Sequence, residues 1–148
     1  MGYVISSDPS WVDVGVVWRF LSEESYWARG VPREIVVKSL AHSILFGVYQ
    51  IGSKNGPESG RNQVGFARVT SDRATFAHLG DVFILAEHRG QGLSKRLIEA
   101  VLAHPELQGL RRWLLFTADA HALYEQFGFS RTAHPERIME IHRPNTYR

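Results

Sequence analysis

The chain has 148 residues, enough for one compact domain with its own hydrophobic core, so we expect a single domain over residues 1–148. Its composition, 44% hydrophobic and 22% charged, is typical of soluble globular proteins. No apolar run approaches the roughly 20 residues that span a bilayer, and the first ten residues lack the features of a secretory signal. We therefore expect a cytoplasmic protein without a membrane partner.

The charge and the supply of metal-ligating residues argue against nucleic-acid binding and against a metal site. The net charge is +2, and Lys and Arg are scattered rather than gathered into the dense stripe that nucleic-acid binding normally needs. The lack of cysteine excludes disulfides, thiolate metal sites and a cysteine nucleophile. The histidines show no paired ligand spacing, so we expect neither a metal site nor a nucleic-acid partner. A small anionic ligand fits the mild positive charge.

The N-terminal half of the chain predicts two helices and a β-meander. The predicted elements are strands over 3–5, 44–51, 64–70 and 77–85 and helices over 11–21 and 33–40. Residues 22–31 are expected to form an exposed connection between the helices. The glycine-rich residues 52–62 are expected to form a loop that joins two antiparallel strands.

The C-terminal half predicts alternating helices and strands. Apolar residues over 92–104 form one broad helical face, and Pro105 ends the pattern. A strand over 113–117, a short helix over 120–127 and a last strand over 138–142 follow. The complete order is β-α-α-β-β-β-α-β-α-β.

The most informative segment, residues 81–97, runs from a strand through a glycine-rich turn into a helix. Such a turn aims free backbone N–H groups at an anion, and the helix N-terminus adds about half a positive charge. A dinucleotide-binding pattern would need glycine where Lys95 stands, and a Walker P-loop would need Gly-Lys-Ser/Thr where Leu93-Ser94-Lys95 occurs. The remaining interpretations are another anion-binding turn, or a helix start that Ser94 caps locally.

Two segments of the chain resemble the N-acetyltransferases of the GNAT family. Arg89-Gly90-Gln91-Gly92-Leu93-Ser94 resembles the family's acyl-CoA signature, Arg/Gln-x-x-Gly-x-Gly/Ala, with Ser94 as the departure. One helix and one strand later, residues 120–129 resemble the family's A-x-x-L-Y-E-x-x-G-F segment. Thr117 stands where many members carry an asparagine that contacts the cofactor. The resemblance covers residues 44–129.

The resemblance implies an α/β (α+β) fold with a central mixed, mostly antiparallel sheet of six or seven strands and about four flanking helices. It also implies acetyl-CoA as cosubstrate, with its pantetheine arm on the strand before the turn and its phosphates at the turn. The cofactor-binding residues would then be Val82, Phe83, Ile84, Arg89, Gly90, Gln91, Gly92, Leu93, Ser94 and Lys95.

The resemblance further suggests catalytic residues. Tyr124 is the candidate general acid for the departing CoA thiolate, because a phenol with a pKa of about 10 is protonated at neutral pH. Packing on a short helix is the alternative role for Tyr124. Asp81 and His78 are equal candidates for a general base, although each could simply make hydrogen bonds, and some members shed the proton through water.

The acceptor is the least defined part of the prediction. Glu23, Glu24, Tyr26 and Trp27 combine carboxylates with aromatic rings, a mixture that attracts a cationic amine. The expected reaction is transfer of acetyl from acetyl-CoA to a primary amine of a small molecule, amino acid or peptide, by direct attack on the thioester. A non-catalytic acyl-CoA-binding or regulatory module, or an enzyme for longer acyl groups, is the alternative. The sequence leaves the acceptor and the choice between monomer and homodimer open.

Overall fold

The computed structural model of the chain describes residues 2–52 and 60–147. Most of the loop predicted over 52–62 lies outside the described residues. The five strands of the described chain are β1 (Gly2–Ser6), β2 (Ile44–Ile51), β3 (Arg61–Ser71), β4 (Phe76–Ile84) and β5 (Arg112–Leu115). The four α-helices of the described chain are α1 (Val14–Arg19), α2 (Arg33–Ala41), α3 (Leu93–Ala103) and α4 (His121–Glu125). The structure is an α/β fold.

The strands form one mixed sheet in the order β1-β2-β3-β4-β5. The first three pairings are antiparallel, as a meander requires, and the pairing of β4 with β5 is parallel. A parallel neighbour needs a crossover connection, and α3 provides it. Because α3 leaves β4 and returns to β5, the turn at its N-terminus lies at the end of β4.

The sheet buries apolar side chains on both of its faces. On one face, Leu93, Leu97, Ile98 and Val101 of α3 pack against alternate residues of β2, β3 and β4. These four side chains share one face of the helix because they recur at helical spacing. On the other face, α1 and α2 cover Leu45, Phe66 and Phe83. Strand β4 is therefore fixed from both sides.

The prediction of six or seven strands is wrong, since the described residues form five. The expected last strand over 138–142 is irregular and exposed, with Met139 and Ile141 exposing 94% and 84% of their surfaces. The β-favouring side chains that suggested a strand are present, but no neighbouring strand pairs with them in the described chain. A strand needs such a partner for its backbone groups.

The N-terminal helices also differ from the prediction. Trp11 belongs to a short 3-10 turn, and its ring packs edge-on against Tyr49. Helix α1 begins one residue after Asp13, whose carboxylate accepts a hydrogen bond from Val16 N. After α1 the chain continues as a π-helical turn, Phe20–Glu24. The predicted exposed connection is thus partly helical.

The segment after the π-helical turn is partly buried because Ser25 and Val31 lie in the interior. The hydroxyl of Ser25 donates to Leu21 O and accepts a hydrogen bond from Ala28 N. These bonds fix the positions of the two intervening aromatic residues, Tyr26 and Trp27. Among the described helices, none has the length and apolar character needed to cross a membrane.

Candidate active site

The candidate site begins where β4 and β5 separate. Their parallel pairing extends from Phe76 and Arg112 to Leu79 and Leu115. Strand β4 continues to Ile84, whereas β5 ends at Leu115. The edge of β4 over residues 80–84 therefore has no strand beside it on the β5 side within the described chain. We call the opening between residues 80–84 and residues 116–118 the wedge.

A β-bulge in β4 lies at the start of the wedge. Phe66 of β3 pairs with Phe83, and the next paired residue of β3, Arg68, pairs with Gly80. This step covers two residues on β3 and three on β4. The extra residue leaves Asp81 and Val82 without a partner in this register. Asp81 adopts a positive φ of 53°, which aspartate tolerates better than most side chains. A bulge bends a strand and redirects its side chains.

The carboxylate of Asp81 holds two other parts of the chain. Its Oδ2 accepts a hydrogen bond from Arg68 Nε at 2.8 Å, and its Oδ1 accepts one from Trp27 Nε1 at 2.8 Å. The Arg68 and Asp81 side chains expose 22% and 11% of their surfaces, so this ion pair is largely shielded from water. With both oxygens occupied, the contacts of Asp81 favour a positioning role over proton transfer.

Tyr26 and Trp27 cross the mouth of the wedge, and we call this pair the aromatic strap. Trp27 is attached to the bulge through Asp81, while the Tyr26 hydroxyl accepts a hydrogen bond from Ala118 N, just after β5. The two rings meet edge to face with centroids 5.0 Å apart. The strap therefore joins the β4 side of the wedge to the β5 side.

His78 is half-buried on β4 near the wedge. Its ring lies 5.6 Å from that of Phe116, which is 70% exposed just past β5. Burial lowers the pKa of His78, and the positive charge of Arg68 lowers it further, against a smaller opposing effect of Asp81. The imidazole is therefore neutral at physiological pH and has a lone pair able to accept a proton.

Tyr124 lies in α4 and is buried, with its ring edge-on to Phe129 at 5.8 Å. Burial raises the pKa of its phenol to about 12, with smaller contributions from Tyr26 and Asp119. The phenol is therefore fully protonated at neutral pH. Tyr26 of the aromatic strap is among the groups that raise this pKa. Tyr124 is therefore a packed side chain whose pKa also depends on the aromatic strap.

Thr117 has a structural contact at the start of α4. Its hydroxyl accepts a hydrogen bond from Ala120 N at 2.9 Å and so fixes the turn that leads into the helix. The position where many family members carry asparagine is here used to orient α4.

The predicted phosphate turn follows β4 directly. Gly90 and Gly92 have φ values of 80° and 76°, and an added Cβ at either position would meet no atom within 4 Å. Gly92 is the N-cap of α3 and has no side chain with which to cap it. Ser94 lies inside the helix and is not its cap. The first N–H groups of an eleven-residue helix therefore face an open surface.

Three hydrogen bonds fix this turn to the sheet. Arg89 Nε donates to Ile84 O at 2.8 Å, which ties the turn to the end of β4. Gln91 Nε2 donates to the Tyr3 hydroxyl at 3.2 Å, and Arg96 donates to Tyr3 O at 3.0 Å. The turn is therefore braced by both β4 and β1, while Lys95 is exposed beside it.

The remaining residues predicted from sequence lie on β4 and in the π-helical turn. Val82 is half-buried against the α3 side of the core, and the Phe83 and Ile84 side chains are buried, so these residues can offer a ligand chiefly their backbone. Glu23 and Glu24 are exposed in the π-helical turn. Within residues 2–52 and 60–147, no three His, Cys, Asp or Glu side chains converge as metal ligands.

Sequence reasoning missed Arg68 and the aromatic strap's attachment points. Arg68 is one of 17 lysine and arginine residues, and its residue type alone does not distinguish it from the others. The bulge at Asp81 depends on pairing with β3, which local sequence does not specify. The usable signal was its position inside the apolar run over residues 64–69, because a charge shielded from water requires a partner.

Comparison with known proteins identifies the family of the chain. A family model described as "Acetyltransferase (GNAT) domain" matches residues 55–131. A protein of Gibberella zeae assigned to the acetyltransferases is 33% identical over 135 residues, which are 82% of this chain and 75% of that protein. The chloroplastic GCN5-related N-acetyltransferase 2 of Arabidopsis thaliana is 32% identical over 126 residues, which are 74% of this chain and 48% of the relative.

A solved structure agrees over the whole fold. A crystal structure from Xanthomonas campestris pv. campestris, assigned to the GNAT family, is 46% identical, with a TM-score of 0.90 over 99% of this chain and 97% of that one. The fold and these relatives together define an acyltransferase. The chain belongs to the GNAT family of acetyltransferases. This family uses acetyl-CoA and acts on amines of small molecules or peptides.

We predict that Asp81→Asn lowers the free energy of unfolding by about 1–3 kcal/mol, because it removes the charge that pairs with Arg68 while asparagine still tolerates the positive φ. Chemical denaturation measures this loss. In a double-mutant cycle with Arg68→Gln, the coupling energy should exceed about 1 kcal/mol.

The ion pair of Arg73 and Glu106 provides a matched control, because its atoms are 3.0 Å apart but its side chains are 52% and 51% exposed. Its cycle should give a coupling energy of about 0.3 kcal/mol. Equal coupling energies at the two pairs would contradict a shielded, structure-holding role for Asp81.

Proposed function

We propose that this chain transfers an acetyl group from acetyl-CoA to the primary amine of a small molecule, amino acid or peptide, by direct attack of the amine on the thioester. The observation that carries this proposal is the unpaired edge of β4 along the wedge, which runs directly into a braced anion-binding turn. An extended thiol cofactor with phosphates at one end matches this surface, because its arm can follow the strand edge while its phosphates reach the turn.

Residues of β4 would hold the extended arm of the cofactor, and the turn would hold its phosphates. Backbone groups of Val82, Phe83 and Ile84 pair with the amides of the pantetheine arm, as an added strand would. The N–H groups from Gly90 to Lys95 hold the pyrophosphate, and the Lys95 ammonium adds charge. Because Arg89 Nε is engaged by Ile84 O, Arg89 positions the turn and offers phosphate its remaining donors.

The reaction needs a neutral amine, a stabilised oxyanion and a proton at the departing sulfur. The amine attacks the thioester carbon, and a backbone N–H of residues 82–84 donates to the oxyanion. The tetrahedral intermediate then breaks its bond to sulfur, forming an amide and CoA thiol. Tyr124 donates to the sulfur as that bond breaks.

The pKa of Tyr124 limits how it can act. Full transfer of its proton, from a pKa of about 12 to a thiolate of pKa about 8.5, is uphill by roughly 5 kcal/mol. The phenol therefore shares its proton with the sulfur during bond breaking. The attacking amine loses one proton and the departing thiolate gains one. The net products are therefore the acetylated amine and the free thiol.

His78 is the stronger candidate for a general base. Its imidazole is neutral and lies next to Phe116 at the wedge, whereas both oxygens of Asp81 are already occupied. We assign Asp81 the role of holding the aromatic strap. The strap and the exposed Phe116 present aromatic faces to the incoming amine, and Glu23 and Glu24 add negative charge nearby.

We predict that Gly92→Ala weakens CoA binding at least about tenfold, because the substitution strains a positive φ and places a methyl group where the phosphates approach the backbone. Calorimetric titration with CoA measures the effect. Gly109→Ala is the matched control, since Gly109 has a φ of 73° and equally open surroundings away from the turn. Both variants lose similar stability. Equal effects on CoA binding would contradict the assigned turn.

We predict that Tyr124→Phe lowers kcat at least about tenfold while changing CoA affinity less than about twofold, because it removes the proton donor and keeps the ring. Thiol release from acetyl-CoA across a panel of amines measures this. Tyr49→Phe is the control, since Tyr49 is also buried but lies in β2. CoA binding without thiol release on any amine would instead identify an acyl-CoA-binding module.

We predict an additional acid-side loss of activity that depends on His78. With an amine of high pKa, log(kcat/KM) should rise with slope one at neutral pH and steepen to slope two below the lowered pKa of His78, under 6.5. His78→Gln should keep slope one throughout, while His42→Gln at the end of α2 should behave as wild type. If His78→Gln still shows slope two at acid pH, His78 is not the general base.

A further inference from the structure

The outer edge of β5 is a hydrophobic strand edge without a neighbour. β5 is last in the sheet order, and within the described chain no strand pairs with its outer side. Trp113 and Leu114 are half-buried there, partly open to solvent. Proteins normally cover or charge such an edge, because its free N–H and C=O groups attract another strand.

A cavity of about 700 Å³ separates this edge from the chain that returns after α4. We call it the edge slot. Its walls include Trp113 and Leu114 from β5 and Phe129, Thr132 and Ile138 from the returning chain. Neighbouring strands lie only about 4.8 Å apart, and direct pairing would leave no such space. The slot is therefore wide enough to admit a further extended segment.

Residues 138–142, Ile-Met-Glu-Ile-His, have the sequence of a strand but no strand partner. Alternation places Met139 and Ile141 on one side, and these are 94% and 84% exposed. Exposing two such side chains on neighbouring positions is unfavourable in water. The segment therefore has the apolar side chains and the strand-forming sequence that could fill the edge slot.

The chain is tied to the rest of the protein before and after this segment. On one side, Phe129 N donates to Tyr124 O at 3.2 Å, which fixes the start of the returning chain. On the other, Tyr147 packs so closely on Gly30 that a Cβ there would lie 3.0 Å from Tyr147 O. Ile138 and Met139 line the slot, and neither belongs to a strand paired with β5 in the described chain.

Charge also favours this segment as the occupant of the slot. Arg111, Arg112 and Arg131 line the cavity, and Glu140 lies at the centre of the segment. A carboxylate delivered into a slot lined by guanidinium groups gains favourable electrostatic contacts.

We propose that the chain forms a homodimer in which residues 138–142 of each copy enter the edge slot of the other and pair with β5. The exchange is reciprocal, so both slots and both exposed segments are covered by one two-fold interface. It adds to each sheet the strand that the sequence predicts, with the second copy as its source.

Sedimentation at micromolar concentration tests the assembly, and a dimer has twice the 16.8 kDa mass of one chain. Ile141→Lys should weaken dimerisation at least about tenfold without lowering the melting temperature of the monomer, because Ile141 is 84% exposed in one chain. Val37→Lys, at an exposed position on α2, should leave the dimer intact. A monomeric wild type, or a dimer indifferent to Ile141→Lys, overturns the proposal.

The cysteine-free sequence allows a direct test of the exchange. Leu114→Cys is combined with either Met139→Cys or Glu140→Cys, so that both sides of the segment are sampled. After oxidation, at least one pair should link two chains, giving a dimer band on a non-reducing gel. A link within one chain, or no link between chains in either pair, overturns the exchange.

Discussion

The divergence of β4 from its parallel neighbour is the constraint on which the active site depends. Pairing stops at Leu79 and Leu115, and the bulge at Asp81 begins immediately afterwards. If β5 continued beside β4, its backbone would occupy the donors and acceptors that a cofactor needs. The divergence therefore leaves an unpaired edge inside the sheet, and the core packed on both faces fixes the position of β4.

The aromatic strap makes the two sides of the wedge interdependent. Trp27 depends on the carboxylate of Asp81, and Tyr26 depends on the amide of Ala118. Arg68 balances the charge that Asp81 brings into a shielded position, and the same guanidinium helps to keep His78 neutral. One largely shielded arginine thus affects both the geometry and the protonation state of the site. The acceptor would approach a surface whose shape is set by residues distant in sequence.

Local patterns in the sequence predicted those parts of the molecule that local interactions determine. The meander, the apolar face of α3 and the turn at Gly90 and Gly92 follow from residue spacing, and the structure contains each of them. The strand over 138–142 was wrong for a single chain because strand formation depends on a partner. The bulge and the contacts of Arg68 could not be predicted, since they arise only when β3, β4 and the π-helical turn meet.

The parallel crossover also determines when during folding the wedge can exist. Strands β2, β3 and β4 follow one another as hairpins, which form from neighbouring segments. Strand β5 reaches β4 only after the chain has passed through α3, so its pairing carries a larger loop-closure cost. A partly folded chain with an intact meander therefore has β4 and no wedge. The edge proposed to hold an extended cofactor is therefore defined only once this long-range pairing is made.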